Sequence, residues 1–291
     1  MADEHAHPEV LVDTAWVAEH LNDPTVTIVE VNTNPDESYN AGHVPGSILW
    51  SLHIDLEDQV RRDVPGVAQF ENLMSRSGID NVTTVVLYGD GNNRSATWAF
   101  WILKIYRHQD VRLMNGGRTK WIAEARPTSA DAPSPEPSSY RAGVADWSLR
   151  ATKDYILANL ANPTTTLLDT RTVEEYKGEM TSAPGSPQAD IYRKGRIPGA
   201  VNVDWEDGAS TDGSFLPAGR LQQMYSDKGL EPSLEIVPYC RLGVRASYSW
   251  FVLKYLLGFP RVRNYDGSWT EWGNSAGVPV ETDAAQQGQS T

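Results

Sequence analysis

Cysteine is almost absent from this sequence: its 291 residues include a single one, Cys240. One thiol excludes an internal disulfide, and a cysteine-based metal site would need its other ligands from different residue types. A lone cysteine is most often a small, buried apolar residue. The sequence around Cys240 must therefore decide between a structural and a reactive thiol.

Long apolar runs and an excess of basic residues are also missing. No apolar run approaches the roughly 20 residues of a membrane-spanning helix, and the first ten residues lack the basic start and apolar stretch of a secretory signal. The formal net charge of −13 disfavours nucleic acid and anionic membrane surfaces as partners. We therefore expect a cytoplasmic protein with neither kind of partner, in which any anion site needs its own local cations.

An internal repeat is the first positive feature. Residues 115–121 (NGGRTKW) match residues 266–272 (DGSWTEW), which lie 151 positions later. Residues 43–47 (HVPGS) match 196–200 (RIPGA) 153 positions later, and 28–32 (IVEVN) match 167–171 (LLDTR) 139 positions later. Ordered matches at nearly constant separation indicate a duplicated domain and not a solenoid of short repeats.

Composition places the domain boundaries. Residues 126–139 are rich in Pro and Ser, as in an extended connection between domains. We expect a first domain over residues 9–125, a linker over 126–145, a second domain over 146–281 and a disordered polar tail over 282–291. Residues 178–195 have no counterpart in the first half, and either cover the site or form a surface loop.

Each half alternates predicted strands and helices. In the second half, strands are predicted over 166–170, 235–239 and 261–265, and helices over 218–228 and 246–257. In the first half, strands are predicted over 27–31, 84–88 and 111–114, and helices over 69–76 and 95–106. This alternation predicts an α/β fold of two tandem domains, each a mainly parallel sheet with helices on both faces. Pro238 counts against a central position for its strand, because it cannot donate to a ladder.

The segment YCRLGVRAS at 239–247 carries the candidate chemistry. Cys240 ends a predicted strand just before a helix, where ligands bind at the edge of a parallel sheet. Gly243 allows the short loop to curl so that its N–H groups form an anion-binding nest. Arg241 and Arg245 add two cations. These features favour thiolate over thiol, which is the condition for a reactive cysteine.

This loop and the closing segment NYDGSWTEW at 264–272 resemble the tandem-domain rhodaneses, which are thiosulfate sulfurtransferases. The resemblance covers roughly residues 9–281 and implies a pair of similar α/β domains, with the second one active. It implies that Cys240 is the nucleophile and that Arg171, in LLDTR, binds the substrate. Arg241 matches the basic residue that follows the cysteine in thiosulfate-using members. The remaining expected substrate-binding residues are Leu242, Gly243, Val244 and Arg245.

Three loop positions depart from relatives. Leu242 stands where some members have Lys, Val244 where many bacterial ones have Glu, and Arg245 where some have Thr. These differences concern the acceptor preference and the rate, and they leave the nucleophile in place.

The first half lacks both proposed reactive groups. The position of Cys240 falls on Gly89 or Asp90, and the position of Arg171 falls on Asn32. We therefore predict a catalytically inactive first domain. Trp269, whose counterpart is Arg118, is the one tryptophan that we place near the site. Glu30 and Asp169 are acidic in both halves, so we expect them to be structural.

The resemblance implies sulfur transfer in two steps through a Cys240 persulfide, from thiosulfate to cyanide or another small thiophilic acceptor such as a thiol, or to an acceptor protein. No metal or organic cofactor is required. Three alternatives stay open: a 3-mercaptopyruvate sulfurtransferase, a cysteine-dependent phosphatase and a non-enzymatic persulfide carrier. The phosphatase signature places five residues between Cys and Arg, whereas four separate Cys240 from Arg245.

Overall fold

The computed structural model describes residues 4–58, 60, 63–182 and 191–283. Two regions singled out in the sequence are therefore only partly described. The predicted tail over 282–291 lies outside the described residues from 284 onward, and so do residues 183–190 of the segment without a counterpart.

The chain folds into two compact units. The first unit consists of Pro8–Trp147 and Ala209–Phe215, and the second of Met1–His7, Ser148–Gly208 and Leu216–Thr291. In the described parts of both units, no helix has the length and apolar character needed to cross a membrane.

The first unit contains a five-stranded sheet in the order β1-β5-β4-β2-β3, with every neighbouring pair parallel. Its central strands are runs of β-branched and apolar residues that are buried on both faces, as parallel sheets covered by helices require. The strands are β1 (Leu11–Val12), β2 (Val26–Asn32), β3 (Ile48–Ser51), β4 (Thr84–Tyr88) and β5 (Val111–Met114).

The helices of the first unit cover this sheet. Asp13 begins the first of them by accepting the N–H of Trp16 at 2.7 Å. The fourth is buried over almost its whole length, with Trp98 and Trp101 in the core as helical spacing predicts. The helices are α1 (Thr14–Glu19), α2 (Leu52–Asp55), α3 (Val67–Arg76), α4 (Arg94–Ile105) and α5 (Gly117–Ala123).

The second unit contains a three-stranded parallel sheet in the order β7-β6-β8. Its strands are β6 (Thr165–Asp169), β7 (Val201–Asn202) and β8 (Glu235–Tyr239), and its helices are α6 (Lys153–Asn159), α7 (Val173–Lys177), α8 (Ala218–Ser226), α9 (Val244–Phe251) and α10 (Ser268–Trp272). The helix predicted over 246–257 begins two residues earlier, at Val244, and a π-helical turn, Val252–Leu256, follows it.

The prediction of a strand over 261–265 is wrong. This segment makes isolated bridges only, between Val262 and Ile236 and between Asn264 and Arg150. The N–H of Ile236 donates to Arg261 O at 2.9 Å and the N–H of Arg263 donates to Ile236 O at 3.0 Å. Pro238 has no N–H to donate to Arg263 O, so this ladder loses one hydrogen bond, although the N–H of Tyr265 still donates to Pro238 O at 3.0 Å.

The register of the second sheet brings the two candidate segments together. Asp169, the last residue of β6, pairs with Tyr239, the last residue of β8. Arg171, two residues after β6, and Cys240, directly after β8, therefore lie at the same edge of the sheet. This is the carboxyl edge at which open parallel sheets bind ligands.

Candidate functional site

Cys240 lies at the start of the short loop that joins β8 to α9. Its side chain is buried, and its sulfur accepts the backbone N–H of Gly243 at 3.1 Å. Gly243 can turn its N–H toward the sulfur because it has a φ of 88°, a left-handed conformation that glycine adopts without strain. The loop thus directs a backbone donor at the candidate nucleophile.

Ser268 is a site residue that sequence reasoning missed. Its hydroxyl oxygen accepts the backbone N–H of Cys240 at 3.0 Å and lies 4.0 Å from the Cys240 sulfur. The same hydroxyl donates to Tyr265 O at 2.7 Å. Ser268 has a φ of 52°, which is unusual for a residue other than glycine. The available signal was its repeat counterpart, Gly117, which has a φ of 54°.

Arg171 is fully buried and held as a cation. Its Nε and Nη2 donate to the two carboxylate oxygens of Asp169 at 2.9 and 2.6 Å, and Nη2 also donates to Gly195 O at 2.7 Å. Burial lowers the pKa of the guanidinium, but Asp169 more than offsets this effect, so the pKa lies above its usual value. The buried Nη1 has no hydrogen-bond partner among the described residues.

Two aromatic rings flank this guanidinium. The carbon at its centre lies 4.7 Å from the centre of the Trp269 ring and 5.6 Å from that of Tyr239. Trp269 is fixed in turn, because its indole N–H donates to Arg193 O at 3.0 Å. Trp269 therefore stands beside the candidate substrate-binding arginine, and the end of the unmatched segment, at Arg193 and Gly195, fastens both of them.

Arg245 lies on the first turn of α9, where it pairs with Glu175 of α7. Its two terminal nitrogens donate to the two oxygens of Glu175 at 2.7 and 2.9 Å. Burial raises the pKa of the Glu175 carboxyl, but the hydrogen bonds and charge of Arg245 lower it more, and the pKa lies below its usual value. The charge of Arg245 is thus balanced at short range.

The other predicted loop residues occupy different environments. Arg241 is buried, and its carbonyl accepts the N–H of Thr270 at 3.0 Å and the hydroxyl of the same residue at 2.8 Å. Leu242 and Val244 are half-buried, and Val244 is already the first residue of α9. The non-helical part of the loop therefore ends at Gly243.

Asp204, which the sequence did not single out, is a titratable group near these residues. The N–H groups of its neighbours Val203 and Trp205 donate to Asp169 O and Thr170 O at 3.1 and 3.3 Å, which places Asp204 beside the end of β6. Burial raises the pKa of its carboxyl to about 6, although the N–H of Glu206 and the charge of Arg245 oppose the shift.

The first unit keeps the backbone of this site without its reactive groups. The N–H of Arg118 donates to Gly89 O at 3.1 Å, just as the N–H of Trp269 donates to Cys240 O at 2.9 Å. The N–H of Gly89 donates to the side chain of Asn93 at 2.9 Å, where Cys240 uses Ser268. A Cβ atom on Gly89 would lie only 2.6 Å from Val31 O, so no side chain fits there.

Asn32, at the position of Arg171, makes a different contact. Its side-chain amide donates to Glu30 at 3.1 Å. Glu30, the counterpart of Asp169, therefore has an uncharged amide where Asp169 has the guanidinium of Arg171. The first unit therefore has neither the thiol nor the arginine that the second unit brings together.

Comparisons with known proteins agree with this geometry. The family model described as Rhodanese-like domain matches the chain twice, over residues 13–124 and 152–275. The sulfur carrier protein TtuD of Thermus thermophilus is 48% identical over 282 residues, which cover 95% of this chain and 98% of that protein. A protein of Mycolicibacterium smegmatis named "Putative thiosulfate sulfurtransferase" is 42% identical, covering 95% of this chain and 99% of the relative.

A solved structure shares the fold at lower identity. The anaerobic ergothioneine biosynthesis enzyme of Chlorobium limicola, in complex with trimethyl histidine, has a TM-score of 0.85 at 24% identity. The match covers 96% of this chain and 72% of that one. The predicted resemblance and the predicted α/β fold of two similar domains are confirmed, and the names of the relatives support sulfur transfer. The chain belongs to the rhodanese family.

Proposed function

We propose that this protein moves the sulfane sulfur of thiosulfate to cyanide or another thiophilic acceptor through a persulfide on Cys240. The observation that carries the proposal is the environment of the sulfur. Cys240 Sγ accepts the Gly243 N–H at 3.1 Å, at the same sheet edge as the buried Arg171. A backbone donor aimed at a sulfur and nearby cations favour the thiolate, which is the nucleophilic form.

The first half-reaction breaks the S–S bond of thiosulfate. The Cys240 thiolate attacks the outer sulfur, a new S–S bond forms, and the electron pair of the broken bond leaves with sulfite. In the second half-reaction, cyanide attacks the outer sulfur of the persulfide, thiocyanate departs and the Cys240 thiolate is restored. Such covalent catalysis divides one difficult transfer into two easier ones. Every electron pair is accounted for, so the cycle needs no metal and no organic cofactor.

Arg171 and Arg241 are proposed to bind the sulfonate part of thiosulfate and the departing sulfite. Arg171 is suited to this role because Asp169, Gly195 and two rings hold it, while its Nη1 has no hydrogen-bond partner in the described part of the chain. A preorganised donor stabilises developing charge without having to move during the reaction. The N–H groups of the loop, from Leu242 to Arg245, would supply further donors.

A persulfide carrier is the second candidate, favoured by the 48% identity to a sulfur carrier protein. In that case the same persulfide passes to a thiol or to an acceptor protein. The donor alternative, 3-mercaptopyruvate, uses the same cysteine. A phosphatase is disfavoured because both terminal nitrogens of Arg245, the arginine that would have to bind the phosphate, donate to Glu175 instead.

We further propose that the first domain, over residues 9–125, is inactive, that the second domain, over 146–281, carries the activity, and that the protein acts in the cytoplasm. Gly89 and Asn32 support the first point, because they stand where the second unit has Cys240 and Arg171.

The test is intact-mass spectrometry of the full-length protein after incubation with thiosulfate. We expect a gain of about 32 Da, one sulfur atom, that is lost on addition of cyanide, as a double-displacement mechanism requires. Cys240→Ser should remain folded and show no gain. Parallel assays with 3-mercaptopyruvate, a thiol acceptor and an aryl phosphate separate the alternatives. An unchanged mass with both sulfur donors would overturn the proposal.

A further inference from the structure

Glu175 is a fully buried carboxylate that none of the predicted catalytic steps uses. It lies in the first turn of α7, where the Thr172 hydroxyl accepts the Glu175 N–H at 3.3 Å and Glu175 accepts the Thr172 N–H at 3.2 Å. This reciprocal capping box fixes the Glu175 carboxylate at the start of the helix that follows Arg171. Both of its oxygens then bind Arg245, which comes from a different element.

This pair is electrostatically linked to the sulfur site on both sides. Arg245 lies on the first turn of the helix that follows the Cys240 loop, where its cation attracts negative charge on the sulfur, and the charge of Glu175 acts on Arg171. Two other carboxyl groups face Arg245: Asp169 at the end of β6 and Asp204 beside it. Because Asp169 is already paired with Arg171, Glu175 is the carboxylate that neutralises Arg245 through direct hydrogen bonds.

The first unit provides an internal comparison. The repeat places Arg94 at the position of Arg245. Ser38 stands at the position of Glu175, because it precedes Tyr39 as Glu175 precedes Tyr176, and the hydroxyls of the two tyrosines donate to the matched carbonyls of Ser47 and Ala200. Arg94 is exposed and Ser38 carries no charge, whereas Arg245 and Glu175 are withdrawn from solvent at short hydrogen-bonding distance. The arginine is thus present in both units, and it is enclosed by a carboxylate only beside the thiol. A general need of the fold does not explain this difference.

We propose that Glu175 is a positioning residue that sets the electrostatic environment of Cys240 by holding and neutralising Arg245. The inference rests on the proposed function, because Glu175 would then moderate the positive charge that an anionic sulfur donor meets at the site. Removing the negative charge of Glu175 leaves the Arg245 cation uncompensated and favours the Cys240 thiolate. Removing Arg245 has the opposite effect, because the carboxylate remains.

These opposite signs distinguish an electrostatic role from a merely structural one. We expect Glu175→Gln, which keeps the size and one acceptor oxygen, to move the pH midpoint of Cys240 alkylation down by about one unit. Arg245→Met should move the midpoint up by about the same amount. The double variant has the same net charge as the wild-type pair, so its midpoint should return close to that of the wild type. Glu175→Asp, which keeps the charge, should stay closer to the wild type than Glu175→Gln.

The measurement is the rate of reaction of the full-length protein with iodoacetamide as a function of pH. This reagent is neutral, so its own approach does not depend on the charge of the site, and Cys240 is the only thiol. Glu235→Gln is the matched control. Glu235 also pairs with an arginine, Arg263 at 2.7 Å, but it begins β8 at the end opposite to Cys240. We expect this control to leave the midpoint unchanged.

Shifts of Glu175→Gln and Arg245→Met in the same direction, or no shift in either, would overturn the inference. If one single variant fails to fold, as circular dichroism would reveal, the other and the double variant still decide the sign. Alkylation requires no sulfur donor, so it tests Glu175 independently of the proposed function. Opposite shifts in a protein that takes no sulfur from thiosulfate or mercaptopyruvate would support the role of Glu175 and refute the transfer reaction.

Discussion

The hydroxyl of Ser268 accepts the backbone N–H of Cys240 at 3.0 Å while Ser268 itself holds a left-handed φ of 52°. We expect Ser268→Ala to destabilise the protein by about 1–3 kcal/mol, because it leaves a buried N–H without a partner. Ser268→Gly loses the same hydroxyl but relieves the backbone, so it should be less destabilising than Ser268→Ala by about 1 kcal/mol. Urea unfolding of the two variants measures the difference, and equal losses would show that the backbone at 268 is unstrained.

Gly89→Cys should not create a second sulfur site. A Cβ atom there would lie 2.6 Å from Val31 O, so the strand end must shift, at a cost of about 2 kcal/mol by analogy with overpacked cores. Made in a Cys240→Ser background, the variant should unfold at lower urea concentration and gain no sulfur mass from thiosulfate. Asp90→Cys is the control, since the Asp90 side chain is about half exposed and a thiol fits there. A persulfide on residue 89 would contradict this account of the first unit.

Asp204→Asn should change the pH dependence of stability. Burial raises the pKa of this carboxyl from 3.8 to about 6, so folding favours its protonated form. The wild type therefore gains stability as the pH falls through about 6 toward 4, and it loses that contribution as the pH rises again. Asparagine is neutral throughout, so the variant should melt a few degrees above the wild type at pH values above 6, with little difference near pH 4. Asp227→Asn, at an exposed aspartate of the same unit, should show no such step in thermal unfolding.

Arg241→Gly should affect two sulfur donors unequally. Thiosulfate is a dianion and 3-mercaptopyruvate a monoanion, and a charge-assisted hydrogen bond contributes about 1.5–3 kcal/mol. We expect kcat/KM for thiosulfate to fall by about 10- to 100-fold, with a smaller loss for mercaptopyruvate. Both donors should be measured on both proteins at one ionic strength, because salt screens the effect. Equal losses would mean that Arg241 does not select between the donors, and a wild-type preference for mercaptopyruvate would overturn the proposed donor.

Local sequence pattern accounts for most of the fold. The strands over Thr84–Tyr88, Val111–Met114 and Glu235–Tyr239 have the predicted bounds, because continuous runs of β-branched and apolar residues between turn signals are typical of buried parallel strands. The segment over 261–265 (RVRNY) has two arginines and an asparagine among its five residues, and it forms isolated bridges instead of a strand. Pro238 on the neighbouring strand removes one N–H from the ladder with this segment, and that effect appears only when the pairing partner is known.

Local pattern also singled out Cys240 and Gly243 as part of a candidate site, and the family resemblance added Arg171. A cysteine followed by a glycine that turns the chain into a helix is a local motif, and the repeat showed which half carries it. The partners of these residues are not local. Ser268 is 28 residues from Cys240, and Glu175 is 70 residues from Arg245.

The sequence by itself determined the duplicated α/β architecture, the candidate nucleophile and the half that contains it, because these depend on periodicity, on a short motif and on one thiol. Only the tertiary structure decided that Arg245 is paired with a buried carboxylate, that one nitrogen of Arg171 lacks a partner among the residues described, and that Ser268 supports Cys240. The physical reason is that charge balance and hydrogen bonding depend on which distant segments the sheet edge brings within about 3 Å of each other. The spacing of residues along the chain does not predict those distances.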